Sequence, residues 1–174
     1  LPESNIQYFE DQTLTTPNNG YGSAIVPNPK YGITIVSYNQ YDSKGNLQQY
    51  TSKSGIPTAI IWGYSQTQPI AKIEGATYAQ VAGQIADIIS KSDADIDQPS
   101  EDLLITALDA LRANSDLKNF QITTYTYNPL IGVTSITPPS GVREIYKYDT
   151  ANRLEKVVDV NGNILKEYKY NYKQ

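Results

Sequence analysis

Asp93, Asp95 and Asp97 alternate as the first ligands of a calcium-binding loop do, and Glu101 falls at the ninth position of such a loop. The rest departs from that chemistry. Gln98 holds the sixth position, where glycine makes the turn, and Leu104 the twelfth, where a bidentate Glu closes the site. The stretch therefore reads as a solvated linker between two helices. The turn from Asp159 to Asn163 also gathers oxygen ligands, but an Asn-Gly hairpin needs no metal. The chain has no His and no Cys, which removes the commonest general base, thiolate zinc sites, iron–sulfur clusters and disulfides. Its acids are numerous, but none sits in a motif that would hold two across a cleft. No Ser lies in a Gly-x-Ser-x-Gly setting, and no phosphate-loop spacing occurs. The sequence thus offers no catalytic residue, no metal site and no cofactor site.

The residue type that remains is tyrosine, which supplies 15 of the 18 aromatic side chains. It recurs as Tyr125 and Tyr127, Tyr146 and Tyr148, and Tyr168 and Tyr170, with the pairs 21 and then 22 residues apart. Fixed-period self-similarity marks a repeat architecture. Tyr146, Tyr148, Tyr168, Tyr170 and Tyr172 are the candidate ligand-binding set, a flat aromatic platform for sugars or a protein partner. The competing reading is structural, because such ladders are commonly cross-strand packing pairs.

These side chains must be carried by sheet. Turn residues lie at matching places between the pairs, Pro138 to Gly141 and Asp159 to Gly162, so each unit reads as strand, turn, strand. Asn161-Gly162 is the strongest two-residue hairpin signal and predicts a type I′ turn with positive φ at both residues. Residues 1–30 read as an irregular connector with one short strand at Ala24-Ile25-Val26. Residues 31–75 read as hairpins, with strands at Ile33 to Tyr38 and Thr58 to Tyr64 and a turn at Ser54-Gly55. Residues 76–118 change to helical period. Tyr78, Val81, Ala82, Ile85, Ile88 and Ile89 predict one helix ending near Lys91, with Thr77 and Gln80 as a capping box. A second helix is predicted after Ser100, with the stripe Leu104, Ala107, Leu108 and Leu111 against the sheet. Strands return over 119–174, at Gln121 to Tyr127, Gly132 to Thr137, Arg143 to Tyr148, Arg153 to Asp159 and Ile164 to Tyr172. The fold class is mainly β, an antiparallel repeat sheet with an inserted helical hairpin.

Net charge is −4 and the sequence pI is 4.8, against the basic patch that nucleic-acid binders carry. Residues 143–174 are mildly basic, with seven basic and five acidic side chains, and the remainder is acidic. The longest apolar run, near Ala59 to Trp62, is far short of the roughly 20 residues that span a bilayer. The absence of Met and the start at Leu1 suggest a processed or cut beginning.

Tyr41-Asp42-Ser43-Lys44-Gly45-Asn46-Leu47 and Tyr148-Asp149-Thr150-Ala151-Asn152-Arg153-Leu154 resemble the YD-repeat motif of the RHS family, roughly Y-D-x-x-G-N/R-L. Asn152 stands where glycine is usual, and asparagine also tolerates the left-handed conformation. With the Asp159 to Asn163 turn and the Tyr-x-Tyr strands, the resemblance covers most of 31–72 and 121–174. Ile60 to Tyr64, Pro69 to Ile73, the helical pair and Tyr127 to Val133 are similar to a surface-protein branch from gliding outer-membrane bacteria. The resemblance implies a spiral or solenoid-like YD-repeat shell, secretion to the cell surface in part through the type IX system, and a role linked to adhesion or gliding. Neighbouring YD repeats of a parent chain would be partners, along with an outer-membrane translocon or surface glycans. The closing motif at which such shells cut themselves is not found, so neither encapsulation nor self-cleavage is implied. The expected function is a structural, non-catalytic end segment of such a protein. The alternative is a stand-alone glycan- or protein-binding module, and a third reading is a secreted passenger.

Overall fold

The computed structural model describes residues 4–7 and 33–171, so the expected strand at Ala24 to Val26 lies outside the described residues. Ten strands form one open sheet in chain order, each antiparallel to the next. They are β1 Ser4–Gln7, β2 Ile33–Tyr41, β3 Leu47–Ser52, β4 Pro57–Gly63, β5 Gln68–Glu74, β6 Gln121–Asn128, β7 Gly132–Thr137, β8 Glu144–Tyr148, β9 Leu154–Val158 and β10 Ile164–Glu167. β5 and β6 pair directly, Ala71 with Thr124 and Ile73 with Ile122, although the whole helical insertion lies between them in sequence. The mainly-β expectation therefore holds, with strands rich in the β-branched and aromatic residues that suit a pleated surface.

The insertion carries α1 Tyr78–Val81, α2 Ala86–Asp93 and α3 Gln98–Ala113. Gln80 Oε1 accepts from the Thr77 N–H at 2.8 Å, the reach-back half of the expected capping box. The single helix expected from Tyr78 to Lys91 is broken by a 3-10 turn at Ala82–Gln84. Gly83 sits in that turn, and glycine inside a helix costs about 0.5–1 kcal/mol relative to alanine. The second helix begins earlier than expected. Asp97, not Ser100, is its N-cap: the Asp97 carboxylate accepts from the Ser100 N–H at 3.0 Å, and Pro99 fits the first turn, where its missing N–H is not needed.

The helices cover one face over β4–β6. Directly paired residues share a face, so Ala59 and Ile61 of β4, Ala71 and Ile73 of β5, and Ile122 of β6 form the floor. Val81, Ile85, Ile88, Leu104, Leu108 and Leu111 close over it as one cluster, which is the helical stripe read from the sequence. Each such side chain contributes about 1.5–3 kcal/mol on full burial. α2 approaches β4 so closely that a Cβ on Gly63 would stand 2.1 Å from Ser92 Oγ, so that position requires glycine. α3 is also tied to backbone. Arg112 Nη1 donates to the carbonyls of Ile122 and Thr137, and Nη2 to that of Pro138 at 2.7 Å.

The far end of the sheet differs. β10 stops at Glu167 instead of running to Tyr172, with a register shift between Ile164 and Lys166, and all four of its residues are exposed. Past the strand, the Tyr168 N–H donates to the Glu155 carbonyl at 2.8 Å, in the register of the Glu167–Lys156 pair, so one ladder bond persists beyond β10.

Candidate functional site

Three turns repeat one set of hydrogen bonds. In the first, Asp42 Oδ1 accepts from the N–H groups of Lys44 and Asn46, both at 2.8 Å, and Oδ2 accepts from the Asn46 side-chain amide at 2.9 Å. In the second, Asp149 Oδ1 accepts from the N–H groups of Ala151 and Arg153, and Oδ2 from Arg153 Nε at 2.8 Å. In the third, Asp159 Oδ1 accepts from the N–H groups of Asn161 and Asn163, and Oδ2 from the Asn163 amide at 2.8 Å. The fourth residue is left-handed each time, with φ of 85° at Gly45, 58° at Asn152 and 83° at Gly162. Asn152 thus does the work of glycine, as its type predicts.

Asn161 is not among the residues of positive φ, so the expected type I′ turn is corrected to a longer loop with one left-handed residue. The reason is the Asp159 carboxylate, which holds two N–H groups that an Asn-Gly two-residue turn leaves to chance. All three carboxyls lie below the usual aspartate range. At Asp42 partial burial opposes this but is outweighed by hydrogen bonds from Asn46, Lys44 and Gly45. The Arg153 side chain dominates at Asp149 and the Asn163 side chain at Asp159.

Of the tyrosines of the expected platform, Tyr148 and Tyr170 tie neighbouring strands through their hydroxyls. Tyr146 and Tyr148 share a face of β8, opposite Val157 and Leu154 of β9. The Tyr148 hydroxyl donates to the Val133 carbonyl at 2.8 Å, and that of Tyr146 to Glu144 at 3.0 Å. Burial, the Glu144 contact and the nearby Tyr168 push the Tyr146 phenol up to about 12, so Tyr168 stands with this pair. Tyr170 turns under Arg153, whose guanidinium lies 4.6 Å from the ring centroid, and donates to the Leu154 carbonyl at 2.7 Å. Tyr168 and Tyr170 remain 42% and 46% exposed. Tyr172 lies outside the described residues.

A second constellation carried no sequence signal. Tyr64, Ser65 and Gln66 turn the β4–β5 hairpin with φ of 50°, 56° and 63°, none of them glycine or asparagine. Left-handed residues of this kind cost of order 1–3 kcal/mol each and persist only where the surroundings impose them. Here the end of α2 does so: Ser92 Oγ accepts from the Tyr64 N–H, and Asp93 from the Ser65 N–H at 2.6 Å. The first repeat turn contributes as well, with the Asn46 amide donating to the Gln66 carbonyl at 2.9 Å. The Tyr64 hydroxyl donates to Asp95 at 2.6 Å and accepts from the Tyr127 N–H at 2.9 Å, and the two rings meet edge to face at 5.7 Å. Burial raises the Tyr64 phenol above its ordinary range, and burial with Tyr125 nearby raises Tyr127 to about 12.

The acids that resembled a calcium loop are therefore distributed. Asp93 and Asp95 hold the hairpin and Asp97 caps α3, and the described residues contain no group of three acids placed to share a metal ion. Glu101 accepts from the hydroxyls of Thr126, at 2.8 Å, and Thr134. It lies between two open clefts along α3. One, of about 520 Å³, is lined by Asp95, Ile96, Tyr127 and Leu130; the other, of about 300 Å³, by Ile105, Ser135, Arg143 and Lys147. Burial pushes the Asp95 carboxyl up against the opposing hydrogen bond from Tyr64, and Glu101 and Asp97 push it further. No described helix is long and apolar enough to cross a membrane, which does not bear on crossing by strands. No protein-family model matches the chain, and no curated protein matches it.

Proposed function

We propose that this chain is a structural, non-catalytic segment of a large secreted RHS-like surface protein, in which YD repeats extend one sheet into a shell or solenoid. The observation that supports it best is the shared hydrogen-bond set of the Asp42, Asp149 and Asp159 turns, each joining consecutive antiparallel strands. Such a unit exposes edges and a face that neighbouring units cover, which is how repeat proteins gain stability. The adhesion or gliding role, the type IX route and the surface location rest on the resemblance of the sequence motifs.

The mass of the native protein tests this reading, by blotting source cells and medium with an antibody raised to residues 121–174. A band far above 19.3 kDa at the cell surface is expected. A band near 19.3 kDa would overturn the repeat-segment reading in favour of a self-sufficient domain.

A second reading is a binding module for glycans or a partner protein, favoured by the exposure of Tyr168 and Tyr170. It requires saturable quenching of tyrosine fluorescence by a polysaccharide panel. Quenching that survives Tyr168→Ala and Tyr170→Ala in folded protein would place any binding elsewhere.

A further inference from the structure

The three repeat turns differ at the residue before the left-handed one, which is Lys44, Ala151 and Asn161 in turn. Only in the third does an asparagine precede glycine. We propose that Asn161-Gly162 is a site of spontaneous deamidation through which the last hairpin of the sheet loosens as the protein ages.

The Gly162 backbone nitrogen gives up its proton to solvent base and attacks Cγ of Asn161. An N–Cγ bond forms, the Cγ–Nδ2 bond breaks, and ammonia leaves with a proton from water. The resulting cyclic succinimide takes up one water at either carbonyl and opens to aspartate or isoaspartate. The net change exchanges ammonia for water and needs no oxidant or reductant.

Among the described residues, three observations single out this position; the sequence's other Asn-Gly pair, Asn19-Gly20, lies outside them. Both residues are exposed, and nothing lies within 4 Å of where a Gly162 Cβ would stand, so the attack meets no side chain. Asn161 donates its backbone N–H to Asp159, but its side-chain amide makes no hydrogen bond with the described residues. The amides of Asn46 and Asn163, in contrast, are held by Asp42 and Asp159. Every other described asparagine precedes a residue with a side chain, and after Asn128 comes Pro129, which has no N–H to lose. One contact restrains the reaction: the Gly162 N–H donates to the Asp159 carbonyl at 3.0 Å and must be released first. The rate therefore follows opening of the turn.

Isoaspartate would add a methylene to the backbone inside the loop closed by the Asp159 N–H and the Asn163 carbonyl, at 3.0 Å, and a new carboxylate beside Asp159. Both changes act against the β9–β10 pairing, which has little burial to hold it.

The test is incubation of the intact chain at mildly alkaline pH, followed by digestion, mass spectrometry and isoaspartate detection. Conversion at Asn161 several-fold faster than at any other described asparagine, rising with pH, is expected. Amide exchange should quicken in β9 and β10 of the converted chains and stay unchanged in β4–β6. Asn161→Ser should show neither change, and Asp159→Ala, which frees the turn, should convert faster. An intact Asn161 in protein where Asn163 or Asn46 has converted would overturn the assignment. Conversion without faster exchange in β10 would overturn the loosening.

Discussion

Where α2 and α3 meet β4–β6, Ile61, Ile73 and Leu104 are wholly excluded from water, whereas at the other end of the same sheet every residue of β10 is exposed. The two regions share antiparallel pairing in one sheet. They differ in what holds the strands in register. The β4–β6 block uses apolar burial, which is non-directional and scales with area. The β8–β10 hairpins bury only Val157 and Val158 and depend on directional contacts: two carboxylate-filled N–H sets, at Asp149 and Asp159, tyrosine hydroxyls on carbonyls, and Arg153 over Tyr170. A core of the first kind unfolds cooperatively, and hairpins of the second kind open locally.

The largest expected effect is at the core. Leu104→Ala should cost about 2–5 kcal/mol, shifting the denaturant midpoint for the β4–β6 block and leaving local exchange at β10 nearly as fast as before. An equal shift of both regions would make the sheet one cooperative unit and dissolve the contrast. Next is Tyr64→Phe, which leaves the Tyr127 N–H without its acceptor and Asp95 without its donor. A buried group so orphaned costs about 1–3 kcal/mol, read in the same denaturant curve. A neutral result would mean that the left-handed hairpin is held without that hydroxyl.

The smallest effect is with pH, and its sign separates the repeat turns from the β4–β6 block. The carboxyls of Asp42, Asp149 and Asp159 are depressed by folding. Their contribution is therefore present above the unfolded aspartate value of about 3.9 and is lost as pH falls through the lower folded values. Amide exchange in the repeat turns should quicken below that range. Asp95 is raised by folding, so the folded state binds its proton more tightly and the β4–β6 block gains stability as pH falls through the window above the ordinary aspartate value. Exchange in the two regions moving the same way across both windows would contradict this assignment.

Much of the fold was legible because its signals are local. The period of the tyrosine pairs and the Asp-x-x-Gly/Asn spacing located the turns from β8 onward, and Asn152 announced its left-handed conformation by type. The helical stripe of Leu104, Ala107, Leu108 and Leu111 gave the buried face of α3. Misreadings arose where a contact distant in sequence intervened. The β4–β5 hairpin has three left-handed residues of unsuited type because Ser92 and Asp93 at the end of α2, and Asp95 just past it, hold it, a segment that looked like a metal loop or a linker. β10 ends at Glu167, short of the expected Tyr172, on an edge where all four of its residues are exposed and a register shift interrupts the pairing. The hydroxyls of Tyr148 and Tyr170 donate to the carbonyls of Val133 and Leu154, contacts that no spacing rule names.

The sequence by itself determined the alternation of strand and turn, the position of the helical insertion and the absence of histidine and thiol chemistry, since composition, period and turn residues act over a few bonds. Only the tertiary structure decided that β5 and β6 meet across that insertion, that the acids of residues 93–101 brace a strained hairpin and line a cleft, and that the two ends of one sheet are stabilised by different forces. Those outcomes depend on which residues are excluded from water together, and exclusion is a property of the packed chain.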